Sequence, residues 1–273
     1  MIGEYEIPKG SKLFFGDRAR KKREIENKAA ALFEKRGFEE IATPLFSYHQ
    51  ANLNETIRFS DEDNNAVFLR ADSSLEAVRL ILKRLGRATE HRKWFYIQPV
   101  FRYPTREIHQ IGAEAIGQSD LKAMISLCGE ILDAVGLRGA TLQAGSIALL
   151  NALQKLLGID REVLIRHELH KLLERDEKWL KPLAELCDLK RLDEVLAIVP
   201  NELKPHLKAM GELTRGRDRV ALSPLFYADM AYYDDLYFRF LLNGKQIAMG
   251  GGYESGEGRA VGFAIYTDEL IDF

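Results

Sequence analysis

Cysteine is nearly absent. Cys128 and Cys187 are the only two in 273 residues, and neither stands in a Cys-x-x-Cys or Cys/His ligand spacing. A disulfide framework and a structural zinc site are therefore not expected, and a reducing compartment fits the usage. An excess of charge of one sign is absent too: 39 Lys and Arg face 41 Asp and Glu, a formal net charge of -2. Proteins whose main task is gripping a nucleic-acid backbone carry a basic excess, so that class is disfavoured, although a local basic patch is not. Long apolar runs are missing. None approaches the roughly 20 residues that a spanning helix needs, and the opening residues lack the apolar core of a signal peptide. No internal repeat, low-complexity tract or Ser/Pro-rich linker appears. The composition that remains, 46% hydrophobic and 29% charged, suits a soluble cytoplasmic protein with a sizeable core and no membrane partner.

Periodicity divides the chain into three parts. In the first, residues 17–36 place Ile25, Ala29, Leu32 and Phe33 on one helical face, with Gly37 as a left-handed stop. A strand over 38–43 closed by Pro44, a strand over 66–70, and a helix capped by Ser73 or Ser74 and running to Leu85 follow. Residues 93–102 and 107–116 read as the arms of a hairpin, then a helix over 119–135 and a strand over 139–144. The second part, about 146–218, is Leu-, Lys-, Glu- and Arg-rich at helical spacing and reads as packed helices. In the third, strands are expected over 225–233, 235–242 and 245–251, with Asn243-Gly244 as a hairpin turn between the last two. The tail 258–273 reads as a strand and a short helix. Hairpins join strands as often as helices do, so the expectation is an α+β fold: a largely antiparallel sheet flanked by helices, with a helical insertion.

Several segments carry a family likeness. GFEEIATPLF (37–46), LRADSS (69–74), FRYPTREIHQIGAEAIG (101–117), ADMAYYDDLYFRF (228–240), GGGYESG (250–256) and GFAIYTDEL (262–270) follow one another in an order that resembles the catalytic domain of class II aminoacyl-tRNA synthetases, and within them histidyl-tRNA synthetase. They stand where that family has motif 1, the LRPEGT segment, motif 2, RGLDYY, GGRYDG and motif 3. The likeness spans nearly the whole chain outside the helical block. It implies a class II synthetase-like fold in one domain over 1–273, a homodimer through motif 1 with Pro44 at its interface, and a histidine pocket.

Departures from the pattern carry the functional information. Motif 2 reads phenylalanine, arginine, any residue, glutamate; here Arg102 is kept but Pro104 holds the glutamate's place, and the loop is shortened to Tyr103–Glu107. The arginine and aspartate of RGLDYY align with Ala228 and Ala231, and the motif 3 arginine aligns with Glu269. Adenylate formation leans on positioned cations, and two of the three arginines that would supply them are missing. No catalytic residue, cofactor or metal is therefore expected. The chain also stops shortly after motif 3, with no stretch for an anticodon-binding domain, so no tRNA partner is expected. This combination resembles the family of ATP phosphoribosyltransferase regulatory subunits. It implies a non-catalytic subunit that joins and activates a short-form ATP phosphoribosyltransferase catalytic subunit and takes part in feedback inhibition by histidine. A stand-alone enzyme activating an amino acid with ATP, with Arg70, Arg106, Arg239 or Arg259 standing in for the lost cations, is the alternative. A histidine-binding module for another partner is a third reading.

Histidine brings an ammonium, a carboxylate and an imidazole, and a pocket must answer each. On the family alignment Asp72 and Gln110 receive the amine, Arg102 the carboxylate and Glu114 the ring N–H, with Tyr232, Tyr233 and Tyr253 shaping the ring's end. Gln110 and Glu114 are four apart on one strand and so share a sheet face. Plainer readings stand beside these. Glu114 between two alanines suits a solvent-facing position, Asp72 suits a helix cap, and Arg102 suits a pair with a nearby acid. Tyr232 and Tyr233 on a strand would face opposite ways, so only one is expected in the pocket. His109 is expected to face away from Gln110. The glycines 250–252 read as a bulge or a close backbone approach, the Arg18–Arg23 cluster as a solvated helix face, and His167 with His170 as helix surface rather than metal ligands.

Overall fold

The computed structural model describes residues 3–48, 56–86, 88–228, 232–256 and 258–273. Helix α1 (Gly16–Lys35) buries Ile25, Ala29 and Phe33, and Gly37, at φ +76°, turns the chain out of it. The strand expected over 38–43 is only β1 (Glu39–Glu40), which pairs parallel with a longer strand downstream. Beyond it Thr43 turns aside to hydrogen-bond Gln98. A small three-stranded sheet follows, β2 (Phe46–Ser47), β3 (Arg58–Ser60) and β4 (Ala66–Leu69). Helix α2 (Ser73–Leu80) is capped by Asp72, whose Oδ1 accepts from Leu75 N at 2.9 Å, rather than by either serine. A π-turn over Ile81–Leu85 extends it.

The main hairpin is β5 (Lys93–Arg102) and β6 (Arg106–Ile116), joined by a turn with a cis Tyr103–Pro104 bond. Helix α3 (Leu121–Ala134) and β7 (Thr141–Ser146) come next. Six helices then occupy the expected block: α4 (Ile147–Leu157), α5 (Arg161–Ile165), α6 (Leu169–Leu173), α7 (Leu180–Ala184), α8 (Leu192–Ile198) and α9 (Lys204–Thr214). Strands β8 (Val220–Leu222), β9 (Leu236–Leu242), β10 (Lys245–Ser255) and β11 (Gly258–Tyr266) precede the short α10 (Thr267–Ile271). Asn243 and Gly244 both take positive φ, 48° and 79°, as a tight right-twisted hairpin turn requires.

The large sheet runs β1-β5-β6-β11-β10-β9-β7-β8, antiparallel except for its two outermost pairs. This is the α+β arrangement the pattern led to. The expected strand over 225–233 is absent in its described part, residues 225–228 and 232–233. Its alternating apolar pattern reflects burial of Leu225, Tyr227 and Ala228 against the core. It does not take the place beside β7, which is flanked by β8 and β9. Residues 229–231, including Ala231, lie outside the described residues.

Alternation of side chains across the sheet separates two faces. The odd positions of β6 (Ile111, Ala113, Ala115) meet α1 and α3, where Phe33 stacks on Phe95 at 4.9 Å between ring centroids. The even positions (Gln110, Gly112, Glu114) lie under α2, and these carry the polar cluster.

Candidate ligand pocket and adjoining groove

Glu114 is fully buried in the middle of the sheet, which removes the solvent-facing reading. Register puts it beside Trp94 on β5 and Gly262 on β11, and a Cβ at 262 would run into Glu114 Oε2. Glycine there is what leaves room for a carboxylate lying across the strand. Tyr253 Oη donates to Glu114 Oε2 at 2.6 Å, and Tyr96 Oη reaches Oε1 at 3.4 Å. Tyr96 also shares a hydrogen bond with Ser74 at 3.0 Å. Burial raises the Glu114 pKa to about 8, and the hydrogen bonds from Ser74, Tyr253 and Tyr96 hold it back from rising further. Burial likewise pushes Tyr96, Tyr232, Tyr233 and Tyr253 well above the usual phenol range. These phenols stay neutral donors at any ordinary pH.

Tyr232 and Tyr233 are in the loop before β9, not on a strand, so the expectation that they diverge fails. Their rings sit 4.9 Å apart, Tyr232 lies edge-on to Tyr253 at 5.5 Å, and Tyr233 stacks parallel to Tyr237 at 6.4 Å. Gly251 accommodates this: a Cβ there would meet the Tyr233 ring at 2.8 Å. Thus Gly251 serves ring packing. The bulge in β10 falls earlier, between Gln246 and Ala248.

Asp72 takes the capping role the sequence offered. It caps α2, and its carboxyl is buried, with a pKa raised by burial and held back by Leu75 N–H and by the charge of Arg102. Next to it Ser73 Oγ is buried with no partner among the described residues. Among the described residues Arg102 forms no ion pair with an acid. Its Nε donates to Ala71 O at 3.3 Å, leaving its other donors toward an open groove. Gln110 is buried on the same face, opposite Gln98 and Tyr266. His109 faces the other way, with Nε2 2.9 Å from Glu107 Oε1 and its ring edge-on to Phe14.

The groove holds about 390 Å³ and is lined by Lys12, Arg102, Arg106, Glu107, Asp268 and Glu269, among others. The chain's own N-terminal segment borders it: Glu107 N donates to Gly10 O, and Lys12 N donates to Glu107 Oε2. Asp268 accepts from His109 N at 3.1 Å through Oδ2, while its Oδ1 is buried without a partner among the described residues. Glu269 sits 3.4 Å from Lys245. Three carboxylates, of Glu107, Asp268 and Glu269, offset the three cations, of Lys12, Arg102 and Arg106.

Of the four arginines that could stand in for ATP cations, Arg106 lines the groove and the other three are engaged elsewhere. Arg70 donates to the carbonyls of Thr43, Pro44 and Pro99, tying the end of the first strand region to β5. Arg259 forks onto Asp234 at 3.0 and 3.1 Å. Arg239 lies 3.4 Å over the Phe226 ring. Arg18, Arg20 and Arg23 form surface ion pairs. His167 stacks on Phe226 at 4.9 Å. Among the described residues no group of three or more His, Cys, Asp or Glu could hold a metal ion. No described helix is long and apolar enough to cross a membrane.

Tyr96, Ser74 and Tyr266 were missed from the sequence. Tyr96 could have been found from strand parity: it is the β5 residue opposite Gly112, and a Cβ at 112 would run into its ring.

Residues 14–270 match the family model described as histidyl-tRNA synthetase. An ATP phosphoribosyltransferase regulatory subunit of Wolinella succinogenes is 43% identical, covering 100% of this chain and 96% of its own. That of Helicobacter hepaticus is 38% identical, covering 100% and 99%. A solved structure from Bacillus halodurans, described as an ATP phosphoribosyltransferase regulatory subunit/histidyl-tRNA synthetase, superposes with a TM-score of 0.87 over 100% of this chain and 83% of that one, at 20% identity. The α+β sheet is thus of synthetase type, and the chain belongs to the histidyl-tRNA synthetase family, in its branch of ATP phosphoribosyltransferase regulatory subunits.

Proposed function

We propose that this chain is the regulatory subunit of an ATP phosphoribosyltransferase, acting in the first step of histidine biosynthesis, and that histidine acts on it as the feedback effector. The observation that carries the role is identity at 43% and 38% along the full chain with two proteins of that name. In this reading the chain is not itself an enzyme. Pro104, Ala228 and Glu269 stand where adenylate chemistry needs a glutamate and two arginines, and Glu269 lies in a groove whose acids offset its cations. ATP and the phosphoribosyl donor bind the short-form catalytic partner, and tRNA is not a ligand.

The effector's place is the Glu114 cluster. A carboxylate has about four acceptor sites, and the phenols of Tyr253 and Tyr96 and the hydroxyl of Ser74 leave capacity for an imidazole N–H. Asp72 and Gln110 are the partners for the ammonium and Arg102 for the carboxylate. A homodimer through motif 1 is favoured by the apolar surface there: Leu45, Phe46, Tyr48 and Phe59 are exposed, and Phe46 and Phe59 pack edge-to-face at 5.4 Å. Such a patch on a small sheet is a contact surface.

Reconstitution tests the role. The chain is mixed with a short-form catalytic subunit, and phosphoribosyl-ATP formation is followed with and without histidine. Co-elution, a gain in rate and inhibition by histidine are expected. No co-elution and no gain in rate would sink the assignment, and histidine-dependent pyrophosphate exchange by the chain alone would favour the enzyme reading.

A further inference from the structure

On the opposite face of the sheet, where α3 turns into β7 and the 215–219 loop enters β8, lies an open groove of about 580 Å³. Four guanidinium groups, of Arg138, Arg215, Arg217 and Arg219, line it against only two carboxylates, of Asp133 and Asp218. None of the four pairs with either aspartate among the described residues; Arg215 reaches Glu212 instead. Arg138 has no described side-chain partner. Arg217 is seated: its Nη2 donates to Ser126 Oγ at 2.8 Å, and Gly129 on α3 lets the guanidinium lie across the helix, since a Cβ there would come within 3.1 Å of Nη1. Gly216, at φ +84°, shapes the loop that carries three of the four. Leu132, Leu142 and Phe240 supply an apolar floor.

We propose that this groove binds a small molecule bearing a di- or triphosphate. Its size falls within the range of ligand sites. Guanidinium forks match phosphate oxygens bidentately and desolvate more readily than ammonium groups, and the groove contains no lysine. Concavity and the converging cations favour a compact polyanion over an extended acidic peptide. The site is separate from the Glu114 cluster, because Leu142 and Phe240 face away from it across the sheet.

Titration calorimetry of the full chain with sodium tripolyphosphate, at low and at moderate salt, tests it. Saturable binding that weakens with salt is expected. Arg217→Ala and Arg138→Ala are each expected to weaken it by about tenfold or more, the scale of one lost charge-assisted bond. Arg138 is exposed and unpartnered, so that variant folds. Arg217→Lys is expected to recover only part of the affinity. Binding that is absent, unchanged by both substitutions, or abolished instead by Arg106→Ala in the other groove would overturn the proposal. Loss of catalytic-subunit capture in the arginine variants, with no polyphosphate binding by the native chain, would also overturn it and make the groove a docking surface.

Discussion

Glu114 and Arg102 stand on the two arms of one hairpin and on one face of one sheet, yet their surroundings differ in kind. Around Glu114 the described polar groups are dry, and the carboxylate is hydrogen-bonded by phenols that cannot ionise at ordinary pH. Around Arg102 the surface is open, and acids and cations are mixed without a dominant sign. On the proposed reading the dry end recognises by geometry, since a misplaced buried polar atom there is costly. The open end carries no concentrated positive charge of the kind that polyphosphate chemistry leans on. On the proposed reading, one half of a synthetase site has been kept as a sensor and the other has been let go.

The largest effect should come from breaking the dry end. Glu114→Ala leaves the Tyr253 hydroxyl without its acceptor, a penalty of about 1–3 kcal/mol for a buried group left unpaired, while Tyr96 keeps Ser74. It also removes the acceptor for the imidazole, so histidine affinity should fall about tenfold to a hundredfold. Calorimetry on the folded variant reads this directly; unchanged affinity would place the effector site elsewhere.

A second test sharpens the contrast through pH. Glu114 titrates near 8 in the folded chain, against an ordinary 4.5, so the folded state holds a proton that the unfolded chain has released between those values. Stability contributed by the neutral acid is therefore full below about pH 4.5, falls as pH rises, and is gone above about pH 8. Asp72 is shifted in the same direction. Glu114→Gln cannot titrate, so its melting temperature should decline less than that of the native chain between pH 5 and 8, with the difference growing toward pH 8. Parallel curves would show that Glu114 is ionised and solvated.

How much of this was legible beforehand follows the physics of each element. Long amphipathic segments such as α1, and punctuation such as Gly37 and Asn243-Gly244, were readable because periodicity and positive φ are local properties. The shared face of Gln110 and Glu114 was readable from strand parity alone. The position of Tyr232 and Tyr233 was not: a run of aromatics and aspartates reads as a strand, and only the folded chain shows these two residues in a loop. Asp72 exposed a different limit. A capping carboxylate and a ligand-binding carboxylate look the same in sequence, and the fold shows directly only the cap. The border that Gly10 and Lys12 form along the groove joins segments about 95 residues apart, beyond any local signal.

The smallest effect belongs to the open end, and it is informative for that reason. Glu269 and Lys245 are both substantially exposed, and such a pair contributes little, about 0–1 kcal/mol. Glu269→Gln should shift stability by no more than about 0.5 kcal/mol and leave histidine affinity unchanged, because the side chain lies in the groove and not among the phenols. Chemical denaturation and calorimetry on the same variant check both. A clear loss of histidine binding would mean that the two ends act as one site, with the acids of the groove reaching the ligand's ammonium. The contrast between a retained pocket and an abandoned one would then have to be redrawn around a single, larger cavity.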